Sequence, residues 1–294
     1  MIWRIPQAIK RLRRLIWTIE NEWVFPPQSD QFSDKGLRLS KTRVMDPYAS
    51  RAARYGEYVR TYKDPALHLQ MWQLLKPLEG KRVLDIAAGQ GDACSPMREA
   101  GATVWSLDLS HAMLARGRDR GTVQAGMVVI GNISTGHLPF KDHCFDIAVA
   151  RYSVHDVKKP AVLFNEVFRV LREGGHFEAV DMSIHTDAPF LLDFYNHLHA
   201  HKTTGPVQPC WIRNVHSLEA LFTAAGFCEP KKSWYSSEVR TDEWLKEGQV
   251  NTLNVLHAIL SEATPDVKRY FKLRPTSGGF WAISFPVVVM CGRR

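Results

Sequence analysis

The sequence has little cysteine, no long apolar run and no surplus of acid, and each shortage closes a route. Its 294 residues hold five Cys, at positions 94, 144, 210, 228 and 291. An odd, widely spaced set without a C-x-x-C pair suits neither a disulfide scaffold nor a cysteine-based zinc site, so a reducing, cytoplasmic setting is expected. No stretch approaches the ~18–20 uncharged apolar residues that cross a bilayer. Arg4, Pro6, Lys10, Arg11, Arg13 and Arg14 stand where a secretion signal needs an apolar block. Internal repeats and low-complexity tracts are also missing. With 45 % hydrophobic residues, the chain can bury one large core or two small ones.

The formal net charge of +8 is concentrated at one end. Residues 1–63 carry thirteen Lys and Arg against six Asp and Glu, whereas the other 231 residues carry 25 against 24. A nucleic-acid enzyme spreads cations over the face that tracks phosphates, because each phosphate contact needs its own. A nearly neutral body with a basic appendage does not fit that pattern, so a nucleic-acid partner is not expected. In residues 2–19, Ile2, Ile5, Ile9, Leu12, Ile16 and Ile19 recur every three or four positions, the stripe of an amphipathic helix, with Trp3, Trp17 and Trp23 as interfacial rings. Such a helix, over residues 1–25, fits peripheral binding to an anionic membrane. It equally fits a packed helix with a solvated basic face, while a mitochondrial targeting role is weakened by the lack of Ser.

Pro26-Pro27 breaks the chain, and residues 26–79 read as a helical cap in which Tyr48, Tyr55, Tyr58 and Tyr62 alternate with Arg51, Arg54 and Arg60. After Gly80 short apolar runs, at about 83–86, 103–107, 127–130, 145–150 and 177–180, alternate with helix candidates near 93–100, 110–118 and 160–172. Strand, helix, strand in repetition implies a doubly wound α/β sheet of parallel strands. Helices are expected at about 187–201, 215–225 and 241–262, with strands at about 232–240 and 280–290. Helical insertions at about 185–215 and 241–275 would complete the cap. Pro286, inside the last strand, demands a bulge or an unpaired position.

The sharpest motif is Val83-Leu84-Asp85-Ile86-Ala87-Ala88-Gly89-Gln90-Gly91-Asp92, a strand running through a glycine turn into a helix. Small residues there let backbone approach a ligand. A dinucleotide fingerprint begun at Gly89 would need a small residue at 94, where Cys94 stands, and a pyrophosphate disfavours the carboxylate of Asp85. Asp85 instead suits an ammonium group. Asp108, ending the next strand, can accept both hydroxyls of a ribose. An acid for an amino group and another for a ribose describe S-adenosylmethionine better than a nicotinamide dinucleotide.

With these two acids the segment Gly131-Asn132-Ile133-Ser134-Thr135-Gly136-His137-Leu138-Pro139-Phe140, then Cys144-Phe145-Asp146-Ile147-Ala148 and Val170-Leu171-Arg172-Glu173-Gly174-Gly175, follow in order. In this the sequence resembles the class I S-adenosylmethionine-dependent methyltransferases, above all the group of ubiquinone and menaquinone C-methyltransferases and natural-product methyltransferases. The resemblance covers roughly residues 80–182. It implies a seven-stranded Rossmann-like sheet with the last strand antiparallel, in a methyltransferase domain over 80–294. It also implies cofactor contacts from Asp85, Ala87, Gly89, Gly91, Asp108, Leu109, Met113, Asn132, Ile133 and Arg151. Relatives usually have Gly in place of Ala87 and often Asp in place of Asn132.

Arg151-Tyr152-Ser153-Val154-His155-Asp156 follows the fourth strand, at the pocket floor that the resemblance implies. His155 is the candidate base, since histidine titrates nearest neutrality, with a pocket-shaping role as the bland alternative. Tyr48, from the cap, is a second catalytic or substrate-contacting candidate. Arg51, Tyr152 and Asp181 complete the expected substrate contacts. His197, His199 and His201 form an H-x-H-x-H run in which a helix would bring only 197 and 201 to one face, without an obvious carboxylate, so a metal site is not expected. A nucleic-acid methyltransferase is disfavoured by Arg151-Tyr152-Ser153-Val154 in place of an N/D-P-P-Y/F tetrapeptide. A non-catalytic relict would have no need to keep both Asp85 and Asp108. The expected activity is methylation, preferably at carbon, of a small and largely apolar molecule such as an isoprenoid, with O-methylation as the alternative.

If residues 1–19 lie on membranes, the full chain floats with anionic vesicles at low salt and is released as salt screens Arg4, Lys10, Arg11, Arg13 and Arg14. Deleting the stretch then abolishes flotation. Equal flotation of the truncated chain assigns the helix to packing instead.

Overall fold

A computed structural model describes residues 52, 71, 73–124, 126–200, 210–244 and 250–294. The expected helix at 1–25 and most of the cap at 26–79 lie outside the described residues. Strands β1 (Arg82–Ile86), β2 (Thr103–Asp108), β3 (Val128–Ile130), β4 (Phe145–Arg151) and β5 (Leu171–Ile184) are separated by helices α1 (Cys94–Glu99), α2 (His111–Asp119) and α3 (Pro160–Val170). Then come α4 (Pro189–Ala200), β6 (Arg213–Asn214), α5 (Val215–Ala224), β7 (Cys228–Arg240), α6 (Thr241–Trp244), α7 (Val250–Glu262), α8 (Pro265–Tyr270), β8 (Arg274–Pro275) and β9 (Trp281–Arg293).

The main sheet runs β3-β2-β1-β4-β5-β9-β7, with β6 beside β5 and β8 beside β9. Strands β1 to β5 pair in parallel. β9 is antiparallel to both its neighbours, β5 and β7. This is the doubly wound sheet with an antiparallel last strand that the sequence leads one to expect. The two-residue β6 and β8 and the helix α8 carry too short a pattern to be foreseen. Pro286 causes no bulge: it stays opposite Ser236 of β7, while the ladder to β5 ends at Met182 opposite Val287. The position is therefore unpaired on the β5 side, where a missing N–H costs nothing.

Period-two alternation divides the core between the two faces of the sheet. Leu84 and Ile86 of β1, Ala148 and Ala150 of β4 and Val288 and Met290 of β9 face α3 and α5, where Phe164, Phe177, Phe222 and Phe227 interlock. Val83, Ile147, Val149, Val287 and Val289 face the other way, against Met71, Leu75 and Met97. A third cluster at the far end of the sheet joins Met182, Ile184 and Phe285 to Tyr195 and Leu198 of α4, Leu256 and Leu260 of α7, and Phe271. No described helix is long and apolar enough to cross a membrane.

Glu178 is the odd residue in this core. It is fully buried in the middle of β5, opposite Val149 and Cys291, and among the described residues neither carboxyl oxygen has a hydrogen-bond partner. Burial pushes its pKa well above the ordinary 4.5. The unfolded chain thus ionises first as pH rises, so unfolding free energy falls by about 1.4 kcal/mol per pH unit between the unfolded and folded values. Glu178→Gln is expected to remove that slope, matching the wild type near pH 4 and exceeding it increasingly towards neutrality in urea denaturation. Parallel pH profiles would show that Glu178 is ionised in the fold.

Candidate active site

The strand order reverses between β1 and β4, and at such a switch point the carboxyl ends of parallel strands open a crevice. Asp85, near the end of β1, is buried at 2 % exposure and stands opposite Ser106. Asp108, closing β2, is also buried, and both of its oxygens hold backbone: Oδ2 accepts from Gly89 N at 2.7 Å and Oδ1 from Ser110 N at 2.8 Å. Ser110 in turn caps α2, its hydroxyl accepting from Met113 N at 3.2 Å. A carboxylate oxygen offers two acceptor sites, the chemistry that receives ligand hydroxyls.

The turn between the acids is built from left-handed backbone: φ is +56° at Ala87, +57° at Gly89 and +75° at Gly91. Such backbone suits Gly, the residue that the resemblance leads one to expect at the first of these positions. Ala87 bears the left-handed conformation at a cost of about 1 kcal/mol. A Cβ on Gly91 would stand 2.4 Å from Val123, and one on Gly117 would stand 2.6 Å from the Gln90 carbonyl. The turn and the end of α2 therefore touch at backbone distance. Gln90, which sequence reasoning passed over, is buried there: its Oε1 accepts from Arg120 at 2.6 Å and its Nε2 donates to the Ala52 carbonyl. The Met113 Sδ lies 3.9 Å from the same amide.

Asn132 caps a 3-10 turn, Ile133–Thr135, with its Oδ1 accepting from Ser134 N at 2.9 Å. Leu109 and Ile133 are half-buried beside these loops. Arg151 ends β4 opposite Val180, and Tyr152 turns the chain with φ at +51°. Tyr48 and Arg51 lie outside the described residues.

His155 and Asp181 are brought together across the ends of β4 and β5. The His155 Nδ1 is 2.6 Å from Asp181 Oδ1, and the backbone N of His155 donates to Asp181 Oδ2 at 3.0 Å. Both residues are buried. A carboxylate on Nδ1 fixes the ring and its tautomer and presents Nε2 as the working nitrogen. Nε2 is 3.6 Å from Asp156 Oδ1. Below the pair, Arg213 donates to the carbonyls of Val157 at 2.8 Å and Trp211 at 2.6 Å. Burial pulls its pKa below the usual value, against the opposing charges of Asp181 and Cys210. Of the H-x-H-x-H run, His197 is exposed, while the His199 ring packs edge-on against His155 with centroids 5.2 Å apart.

A family model described as a methyltransferase domain matches residues 84–179. A ubiquinone/menaquinone biosynthesis C-methyltransferase of Methylobacterium nodulans is 33 % identical over 178 residues, 56 % of this chain and 69 % of that protein. The chain belongs to the class I S-adenosylmethionine-dependent methyltransferases. Another enzyme of the same description, from Roseobacter denitrificans, is 33 % identical over 153 residues, which are 48 % of this chain but only 59 % of that protein. A Bacillus halodurans structure described as a methyltransferase shares the fold, with a TM-score of 0.68 and 21 % identity over 77 % of this chain and 97 % of its own. The donor set fits the family's cofactor: backbone amides at the turn and two buried acids, Asp85 and Asp108, of the chemistry that an amino group and a ribose require.

Asp108→Ala is expected to weaken S-adenosylmethionine binding by about 1.5–3 kcal/mol, roughly 10–150-fold, the scale of hydrogen bonds to a charged group. Calorimetry on a variant with wild-type circular dichroism reads the effect. Unchanged affinity would remove Asp108 from the cofactor site.

Proposed function

We propose that the protein transfers the methyl group of S-adenosylmethionine to a small, largely apolar acceptor. Carbon is the favoured acceptor atom, and the favoured substrate is an isoprenoid, either a prenylated quinone precursor or a prenyl diphosphate. The observation that carries this reading is that one edge of the sheet holds both the buried acids Asp85 and Asp108 and the His155–Asp181 pair. The relatives' names, which specify C-methylation in ubiquinone and menaquinone biosynthesis, support carbon and a quinone precursor. The buried Ala52, whose carbonyl meets Gln90 in the glycine turn, supports a cap over the cofactor.

The bound cofactor supplies a methyl group on a sulfonium. Methyl transfer is a direct displacement, so most of the chain's work is alignment of the acceptor atom with the C–S bond. The acceptor's electron pair forms the new bond, and the C–S pair stays on sulfur. The proton that the acceptor loses goes to His155 Nε2, and Asp181 on Nδ1 stabilises the resulting imidazolium. Arg151 ends β4 and Tyr152 follows it, beside the same strand ends.

Transfer of labelled methyl to a prenylated benzenediol and to geranyl diphosphate tests the reading. His155→Ala is expected to lower kcat by ~10²–10⁴-fold with cofactor affinity retained, and Asp181→Asn to lower kcat with less change in KM. An alkene needs a base only after it has attacked the methyl group. A near-normal rate with altered products in His155→Asn would therefore reject the base role and favour the diphosphate. A protein that binds the cofactor yet methylates neither compound would overturn the isoprenoid assignment.

A further inference from the structure

We propose that His155, His199 and Cys210 form a binding site for a soft divalent metal ion of the zinc class, with one coordination position open to a small ligand. The metal-binding atoms of the three side chains all lie within 4.8 Å of one another. Two imidazoles and a thiolate suit zinc rather than magnesium or calcium, which take oxygen ligands. At ~2.0–2.1 Å for nitrogen and ~2.3 Å for sulfur, a tetrahedral ion spaces its donors about 3.3–3.6 Å apart. Closing the set takes roughly an ångström, which the side-chain torsions of His199 and Cys210 supply.

A second, independent feature is the carboxylate behind the histidine. Asp181 holds His155 Nδ1 at 2.6 Å, the outer contact that orients a metal-bound imidazole and raises its basicity. The backbone around the cluster is cross-tied. Trp211 N, next to Cys210, donates to the His155 carbonyl at 2.7 Å. Asn196 of α4, one turn before His199, accepts from Ile212 N at 2.8 Å and donates to the Ile212 carbonyl at 3.2 Å. Arg213 reaches back to the Val154 carbonyl at 3.2 Å and the Val157 carbonyl at 2.8 Å. The turn with His155, the end of α4 and the segment with Cys210 thus hold one another in place. The H-x-H-x-H run contributes only its middle member, because His197 is exposed. The inference does not depend on the proposed reaction. Should both hold, metal ion and acceptor proton compete for His155 Nε2.

The test uses the full chain, stripped of metal by chelation and titrated with Co²⁺. One equivalent is expected to bind, with the visible bands of a tetrahedral ion and a near-ultraviolet thiolate-to-cobalt band, all displaced by Zn²⁺. Cys210→Ser is expected to abolish the thiolate band, and His199→Ala to weaken binding at least tenfold. Cys228→Ser, at an exposed cysteine elsewhere, should change neither. Asp181→Asn should weaken binding about 10–100-fold, as loss of an outer partner does. Absence of saturable Co²⁺ binding, or a thiolate band that survives Cys210→Ser, overturns the site. If Cys210→Ser does not fold, peptide mass spectrometry of alkylated wild-type protein decides: Zn²⁺ should protect Cys210 and leave Cys228 reactive, and equal alkylation of Cys210 with and without Zn²⁺ overturns the site. S-adenosylmethionine calorimetry on the same samples separates the outcomes, since cofactor binding without metal binding sinks this inference alone.

Discussion

The grip of Asp108 on two backbone amides is the constraint on which the cofactor side of the molecule rests. One carboxylate binds the turn after β1 through Gly89 and the start of α2 through Ser110, so two loops from neighbouring strands have a fixed separation. Desolvating that carboxylate is costly, and two charge-assisted hydrogen bonds offset the cost. The packing follows from this spacing. Gly91 and Gly117 have no room for a Cβ, and Thr122 donates to the Gln90 carbonyl, closing the far side of the turn. Arg120 ties Gln90 to Asp92 across the same turn. A ligand in the crevice meets backbone that is already organised, and little ordering entropy remains to oppose its binding.

The acceptor side is organised by a different device. Here a histidine on the 3-10 turn after β4 meets an aspartate at the end of β5, residues far apart in sequence but joined because the two strands pair through Arg151 and Val180. The two sides share a buried acid on backbone amides and differ in what else it holds. Asp108 holds the amides of Gly89 and Ser110, whereas Asp181 holds the amides of His155 and Met182 and in addition an imidazole, and so sets how that ring meets a proton or a cation. The switch point between β1 and β4 brings the two devices to one edge.

Much of this was legible in the sequence, because it is written in local patterns. Alternating apolar runs and amphipathic stretches announce parallel strands with crossovers, and the small residues from Ala87 to Gly91 announce a turn with left-handed backbone. The aspartates at strand ends were equally plain. What escaped was whatever depends on the rotation of a helix or on a distant partner. Helical periodicity pairs His197 with His201, but α4 turns Tyr195 and Leu198 into the third core cluster, and this rotation carries His199 towards His155 and leaves His197 outside. Cys210 is a lone residue in the sequence and gains meaning only from the β6 segment beside it. Gln90 carries no pattern of its own between two glycines, and its role as a bridge to Arg120 and Ala52 rests on contacts remote in the chain.

The position of β9 bears on how the molecule is made. β5 and β7 are both complete before β9, yet among the described strands of the main sheet β7 has only β9 to pair with, and β9 also covers the outer edge of β5. As the chain leaves the ribosome, a parallel sheet of five strands can assemble early with most of the long β5, all but the end that β6 pairs, as its open rim, while β7 waits without a ladder. Unpaired rims of that length template pairing with other chains. The nascent protein is therefore most exposed to aggregation during synthesis of the stretch between Arg240 and Trp281, and the arrival of one antiparallel strand closes both openings at once.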